Sequence, residues 1–137
     1  MTQYAELDLI RTCRPVCLPP TATVMMAARH MHSRNVSAVL VTDDDGSLVG
    51  IFTERDAISR VLAEGKDPAA TFLGEVMTDN PDTVRPDESP AQVVSRMRTA
   101  QCRHLPIVHD GNLLGMFSRG QRSVEPTLVG FAAEAAN

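Results

Sequence analysis

The chain has 137 residues, 43% of them hydrophobic, a formal net charge of −4 at pH 7 and a pI near 5.5. This suits one domain with an ordinary core rather than a disordered segment, and the acidic balance argues against wrapping nucleic acid or lying on an anionic membrane. No run approaches the roughly 18 apolar residues that span a bilayer, Met1–Glu6 lacks the order of a secretory signal, and three cysteines, an odd number, fit a reduced compartment, so the expectation is a soluble, cytoplasmic protein with neither nucleic acid nor membrane as partner.

An N-terminal segment, 1–12, precedes a first repeat at 13–65. A short extended piece around Val16-Cys17-Leu18 leads to Thr23, a hydroxyl residue at an N-cap position, followed by apolar residues at i, i+3, i+4 and i+7 that predict a helix. The run Ala38-Val39-Leu40-Val41 and the turn Asp43-Asp44-Asp45-Gly46 then read as a hairpin. A second helix is predicted from Glu54 to about Ala63, ended by Gly65. Residues 66–78 form a linker, with a helical turn expected within Thr71–Met77.

The second repeat, 79–123, begins with an extended piece at Asp82-Thr83-Val84. Ser89-Pro90-Ala91-Gln92 combines proline at the first helical position with the Ser-x-x-Gln of a capping box. Leu105-Pro106-Ile107-Val108 and the turn His109-Asp110-Gly111 give another hairpin, and the tail 124–137 could add one more helix.

The two halves align. Met31 matches Met97 and Thr23 matches Ser89 at an offset of 66 residues, and after the shorter second turn Gly50 matches Gly115 and Phe52 matches Phe117 at 65. The fold class is therefore α/β (α+β), as two β-α-β-β-α repeats. Half-domains that cannot bury their own apolar faces are expected to pack about a pseudo-two-fold axis, with two related clefts between them.

Val76-Met77-Thr78 leading to Thr83-Val84-Arg85-Pro86, with Arg103-His104-Leu105-Pro106-Ile107-Val108 and Gly50-Ile51-Phe52-Thr53-Glu54-Arg55-Asp56, resembles a pair of cystathionine β-synthase (CBS) domains over about residues 13–123. The resemblance implies a non-catalytic regulatory module. In the family, which includes the regulatory subunit of AMP-activated kinase, the clefts often bind adenosine-containing ligands and pass the signal to an attached or partner protein.

The family's nucleotide motif maps onto Gly50, Ile51, Phe52, Thr53 and Asp56. A carboxylate accepts hydrogen bonds from both ribose hydroxyls, and a hydroxyl at a helix start can meet a phosphate, so the resemblance assigns ribose to Asp56 and phosphate to Thr53. The competing reading is a capping box, since Thr-x-x-Asp satisfies helix donors with no ligand at all. In the second repeat Ser118-Arg119-Gly120-Gln121 keeps the cap but loses the carboxylate. That exchange forfeits about 1–2 kcal/mol per nucleotide contact, on the order of tenfold in affinity, so the second cleft is expected to be degenerate.

The resemblance further implies that the second repeat completes the Asp56 cleft through Arg103 and His104, whose charges would compensate phosphate, with Pro106 and the segment Asn80-Pro81-Asp82-Thr83 bordering the base. The first repeat has Ser37 and Ala38 at the places of Arg103 and His104. As plain polar residues, Arg103 and His104 would instead be solvated on a strand edge.

No phosphate loop, nucleophile elbow or zinc helix occurs, and the chain is read as no enzyme. Cys13 and Cys17 lack companions at zinc-finger spacing, and Asp43-Asp44-Asp45-Gly46 lacks an EF-hand's alternating ligands. The expected ligand is an adenine nucleotide, AMP, ADP or ATP, with no prosthetic group and no resident metal; S-adenosylmethionine and NAD are the alternatives in the adenosyl class. The competing function is a ligand-free scaffold that forms a homodimer or holds a partner through helices such as Ala57–Leu62. A regulated protein encoded separately is a further possible partner.

Overall fold

The computed structural model describes residues 10–119, with side chains from Arg14 onward. Its contacts divide the chain into two units, Pro15–Pro81 and a second that joins the residues up to Arg14 to those from Asp82 onward. Strand β1 (Ile10–Cys13) thus precedes the first unit in sequence but belongs to the second. The fold is mixed α+β.

The first unit carries β2 (Cys17–Leu18), helix α1 (Val24–Arg34), β3 (Ala38–Thr42), β4 (Leu48–Thr53), a helical turn α2 (Glu54–Asp56) continued by a π-helical stretch (Ala57–Leu62), α3 (Leu73–Val76) and β5 (Thr78–Asp79). Thr23 caps α1 as expected, its Oγ1 accepting from the Met26 N–H at 3.2 Å. The helix ends at Asn35, which takes the left-handed conformation (φ 55°) and donates its N–H to the carbonyls of Met31 and His32. An amide side chain tolerates that region better than most. Val24, Ala27 and Met31 turn inward, whereas Ala28 is exposed. The apolar stripe is one residue narrower than expected, at little cost for so small a side chain.

The sheet runs β2-β3-β4-β5. β2 lies parallel to β3; β4 is antiparallel to both β3 and β5. Val39, Val41 and Phe52 pack with Ala27, Met31, Val61, Leu73 and Val76 in one core. Ala38, Leu40 and Ile51, on the opposite face of the sheet, are buried as well. A strand covered on both sides reads as a continuous apolar run, as Ala38–Val41 does.

The second unit repeats this plan. Helix α4 (Pro90–Ala100) opens with the predicted capping box, Gln92 N–H to Ser89 Oγ at 3.2 Å and Ser89 N–H to Gln92 Oε1 at 2.8 Å. It ends on Gln101, left-handed at φ 55° like Asn35. β6 (His104–His109) and β7 (Asn112–Arg119) form the hairpin, and Val84 bridges in parallel to Ile107 just as Leu18 does to Val41. Both hairpins carry a register irregularity at the same point, Val41/Thr42 and Ile107/Val108. Val84, Val93, Val94, Met97, Leu105, Ile107 and Phe117 make the core. The second helix of this repeat and the tail at 124–137 lie outside the described residues, as does the Cys13 side chain.

In both sheets the strand that opens the nucleotide-type motif is central. β4 has β5 on its far edge and β7 has β1, Cys13 opposite Met116 corresponding to Thr78 opposite Ile51. Gly50 permits that approach in the first unit: a Cβ there would fall on Met77 Sδ and stand 3.0 Å from the Thr78 carbonyl. In Gly50→Ala the Met77 side chain must move aside and the Thr78 carbonyl must give by a few tenths of an ångström. We expect a loss of about 1–3 kcal/mol in urea unfolding, with faster amide exchange at Thr78 and Asp79; an unchanged midpoint and unchanged exchange would contradict the close fit.

Candidate functional site

β4 delivers the motif. Along it Ile51 and Thr53 share one face and Phe52 takes the other. Phe52, expected among the ligand contacts, is wholly buried among the core residues, so its side chain is spent on packing and only its backbone is left for a ligand. Ile51 is buried with a slight exposure of 7%. Thr53 is half-buried at the strand end.

The alternative reading of Thr53 and Asp56 as a capping box is realised. Asp56 N–H donates to Thr53 Oγ1 at 3.1 Å, and Thr53 N–H donates to Asp56 Oδ2 at 3.0 Å. A cap of this kind is worth about 1 kcal/mol. It does not exhaust either group. A carboxylate offers about four acceptor directions over its two oxygens, of which the cap takes one, and Thr53 serves the cap as acceptor, which leaves its hydroxyl proton for donation. Asp56 is nevertheless sheltered, with 14% of its side chain exposed, and Arg60 Nε lies 3.8 Å from its Oδ1.

Arg60 was missed by the sequence reading. Its Nη1 donates to both the Val76 and Met77 carbonyls at 3.0 Å, which ties the π-helical stretch to the residues entering β5. The i+4 spacing from Asp56 was the one available signal; nothing in the sequence pointed to carbonyls 16 and 17 residues away. Beyond β5, Asn80 is exposed and left-handed at φ 47°, its N–H on the Val49 carbonyl at 3.3 Å, and Pro81 is half-buried.

In the second unit Arg103 is exposed and His104 is buried. The pair was expected to compensate phosphate charge, His104 as a donor whose charge varies near neutral pH; the fold keeps His104 neutral. The residue is only 9% exposed, and its Nδ1 lies 3.1 Å from Ser118 Oγ across the β6–β7 ladder. Burial, with the Arg103 charge as a second cause, lowers its pKa to about 4, so the imidazole is neutral at pH 7. The equivalent cross-strand pair in the first unit is Ala38 opposite Thr53. Pro106 is buried in β6 and its carbonyl accepts from the Val84 N–H at 2.9 Å. Asp82 is exposed and Thr83 half-buried.

The acidic turn is a turn. Asp43 Oδ1 accepts from the N–H groups of Asp45 and Ser47, and Asp45 Oδ1 accepts from Ser47 N–H. Among the described residues no group of three or more His, Cys, Asp or Glu stands close enough to hold a metal ion.

A CBS domain model matches residues 6–63 and again 73–121. The chain belongs to the CBS domain family. CBS pairs are non-catalytic regulatory modules. The CBS domain-containing protein CBSCBSPB3 of Arabidopsis thaliana is 36% identical over 107 residues, covering 78% of this chain and 19% of that protein. The chain spans less than a quarter of the length of the CBSCBSPB proteins of Arabidopsis thaliana that it matches. Among solved structures, the CBS-domain containing protein ATU1752 from Agrobacterium tumefaciens is 32% identical with a TM-score of 0.73, covering 78% of this chain and 85% of that one. The CBS domain pair of protein MJ0100, solved in complex with 5′-methylthioadenosine and S-adenosyl-L-methionine, is 27% identical with a TM-score of 0.71, over 82% of this chain and 87% of that one. No described helix is long and apolar enough to cross a membrane.

A buried neutral histidine sets the acid limb of stability. The folded pKa of about 4 lies below the ordinary 6.5, so the unfolded chain binds the proton first. The His104 contribution is whole above pH 6.5 and is lost as pH falls from there through 4, by up to about 3 kcal/mol at 1.36 kcal/mol per unit. Urea unfolding across this window should show a slope that His104→Gln removes; a slope unchanged by the substitution would place the titration elsewhere.

Proposed function

We propose that this CBS pair is a cytoplasmic, non-catalytic sensor of an adenine nucleotide, AMP, ADP or ATP, bound chiefly through the Gly50–Asp56 motif. One observation carries the proposal: the motif is intact, and its sheltered carboxylate keeps acceptor positions beyond the single one used by the cap. Asp56 accepts from the ribose hydroxyls, Thr53 donates to a phosphate oxygen, and Ile51, on the same face of β4, offers the apolar contact. Arg103, exposed and always charged, is the phosphate cation that the family resemblance implies. The same resemblance groups His104, here neutral, with Arg103 and gives Pro106, Asn80, Pro81, Asp82 and Thr83 to the base. That MJ0100 was solved with adenosyl ligands supports the ligand class. Binding acts as a regulatory signal only to the extent that the ligand prefers one conformation of the module over another.

A second reading rests on Ile58 and Leu62, each 61% exposed and four residues apart on the π-helical stretch. Two large apolar side chains left in water on one side of a helix suit a homodimer contact or a separately encoded regulated protein.

Calorimetry with AMP, ADP, ATP, S-adenosylmethionine and NAD tests the first reading. Binding of an adenine nucleotide below millimolar Kd is expected, weakened about tenfold or more by Asp56→Ala and made less salt-sensitive by Arg103→Gln. No binding at that level, or indifference to Asp56→Ala, would reject it. For the homodimer form of the second reading, light scattering should give twice the chain mass, reduced to one by Ile58→Glu with Leu62→Glu; a wild-type monomer would end that form.

A further inference from the structure

The guanidinium of Arg60 touches two things at once. Nε stands 3.8 Å from Asp56 Oδ1, and Nη1 is fixed on the carbonyls of Val76 and Met77 at 3.0 Å each. Those carbonyls immediately precede β5, which pairs through Thr78 and Asp79 with Ile51 and Gly50 of the motif strand. Asn80 follows, held by its N–H on Val49. Asp56 is itself oriented from the other side, Oδ2 on the Thr53 N–H. The carboxylate therefore has its second oxygen directed toward a charge whose own position is set by the backbone at 76 and 77.

We propose that Arg60 is a positioning residue for ribose recognition, holding the Asp56 carboxylate in a binding orientation and linking its occupancy to the 76–79 segment. This rests on the nucleotide reading above. A planar fork pinned at one nitrogen has little freedom left at another, so it fixes the neighbouring oxygen without being consumed by it. At 3.8 Å the pair is a weak one, and the Arg60 side chain is 46% exposed; the ribose hydroxyls meet an acceptor that is oriented but not saturated. A tight bidentate pair would instead have to be broken before ribose could bind. The coupling is reciprocal: whatever fixes the segment before β5 also favours the nucleotide.

The test is a double-mutant cycle read by calorimetry with AMP, using Arg60→Met, Asp56→Asn and the double variant. Arg60→Met should weaken AMP about three- to fivefold, the scale of a half-exposed ion pair. That loss should vanish in the Asp56→Asn background, and also for 2′,3′-dideoxyadenosine monophosphate, which lacks both hydroxyls. Losses that simply add, or that persist with the dideoxy ligand, would reduce Arg60 to a structural clamp and overturn the inference alone. A wild-type chain that binds no adenine nucleotide would overturn the nucleotide reading and this inference together. Thermal melts check folding of each variant; if Arg60→Met lowers Tm appreciably, the same cycle is run with Arg60→Lys, which keeps charge and reach but not the fork.

Discussion

Everything in the two units is organised by the need to cover the outer edge of the strand that leads into the motif. A free edge leaves a row of backbone donors and acceptors without partners and invites pairing with other chains. Here β4 and β7 are flanked on both sides, by β3 and β5 in one sheet and by β6 and β1 in the other. The covering strands are short, and in the first unit the approach depends on a bare Cα at Gly50. A glycine that the family resemblance assigns to nucleotide recognition thus also sits tightly against Met77 and the Thr78 carbonyl. With the motif strand central, its last residue enters the helical turn at a fixed point, which is what gives Thr53 and Asp56 a defined geometry.

Capping and ligand recognition were rival explanations of Thr53 and Asp56, and the geometry makes them compatible. The cap uses one carboxylate direction and the hydroxyl oxygen, and it leaves other carboxylate directions and the hydroxyl proton for the nucleotide proposed above. The repeats diverge most at the neighbouring cross-strand pair, where Ala38 faces Thr53 in one and His104 faces Ser118 in the other. A methyl group leaves the threonine hydroxyl to the helix. In the second unit an imidazole lies 3.1 Å from the serine hydroxyl, and its burial keeps it uncharged. The two copies have drifted apart in chemistry while keeping the same backbone register.

Much of this was legible in the sequence, because local rules carried it. Thr23, Ser89 and Pro90 marked helix starts, Gly46 and Gly111 marked the hairpin turns with positive φ, and the offsets of 66 and 65 tied the halves together. The strand exchange was not legible: β1 has four residues and β5 two, too few for an alternation, and their partners are set by tertiary approach. His104 was read as a donor whose charge varies near neutral pH because a histidine at the start of a strand carries no sign of how deeply it will be covered. Phe52 was read with its motif neighbours, although strand alternation sends it to the opposite face. Arg60 was missed since its decisive partners are main-chain carbonyls, which sequence motifs do not name. The wide π-helical winding of Ala57–Leu62 also has no sequence signal we can point to; Ser59 Oγ on the Arg55 carbonyl at 2.8 Å occupies an acceptor that a regular α turn would use.

The pairing of Ile10–Cys13 with Met116–Arg119 has a consequence for how the molecule is made. As the polypeptide leaves the ribosome, the segment carrying β1 waits through the synthesis of the entire first unit before its partner strand exists. The first sheet, whose four strands all lie between Cys17 and Asp79, can form meanwhile. Closing the other sheet then requires a contact between distant parts of the chain, a slow step by loop-closure entropy. Maturation should accordingly be sequential, with the half that holds Asp56 assembled first and the half that holds Arg103 the last to lock.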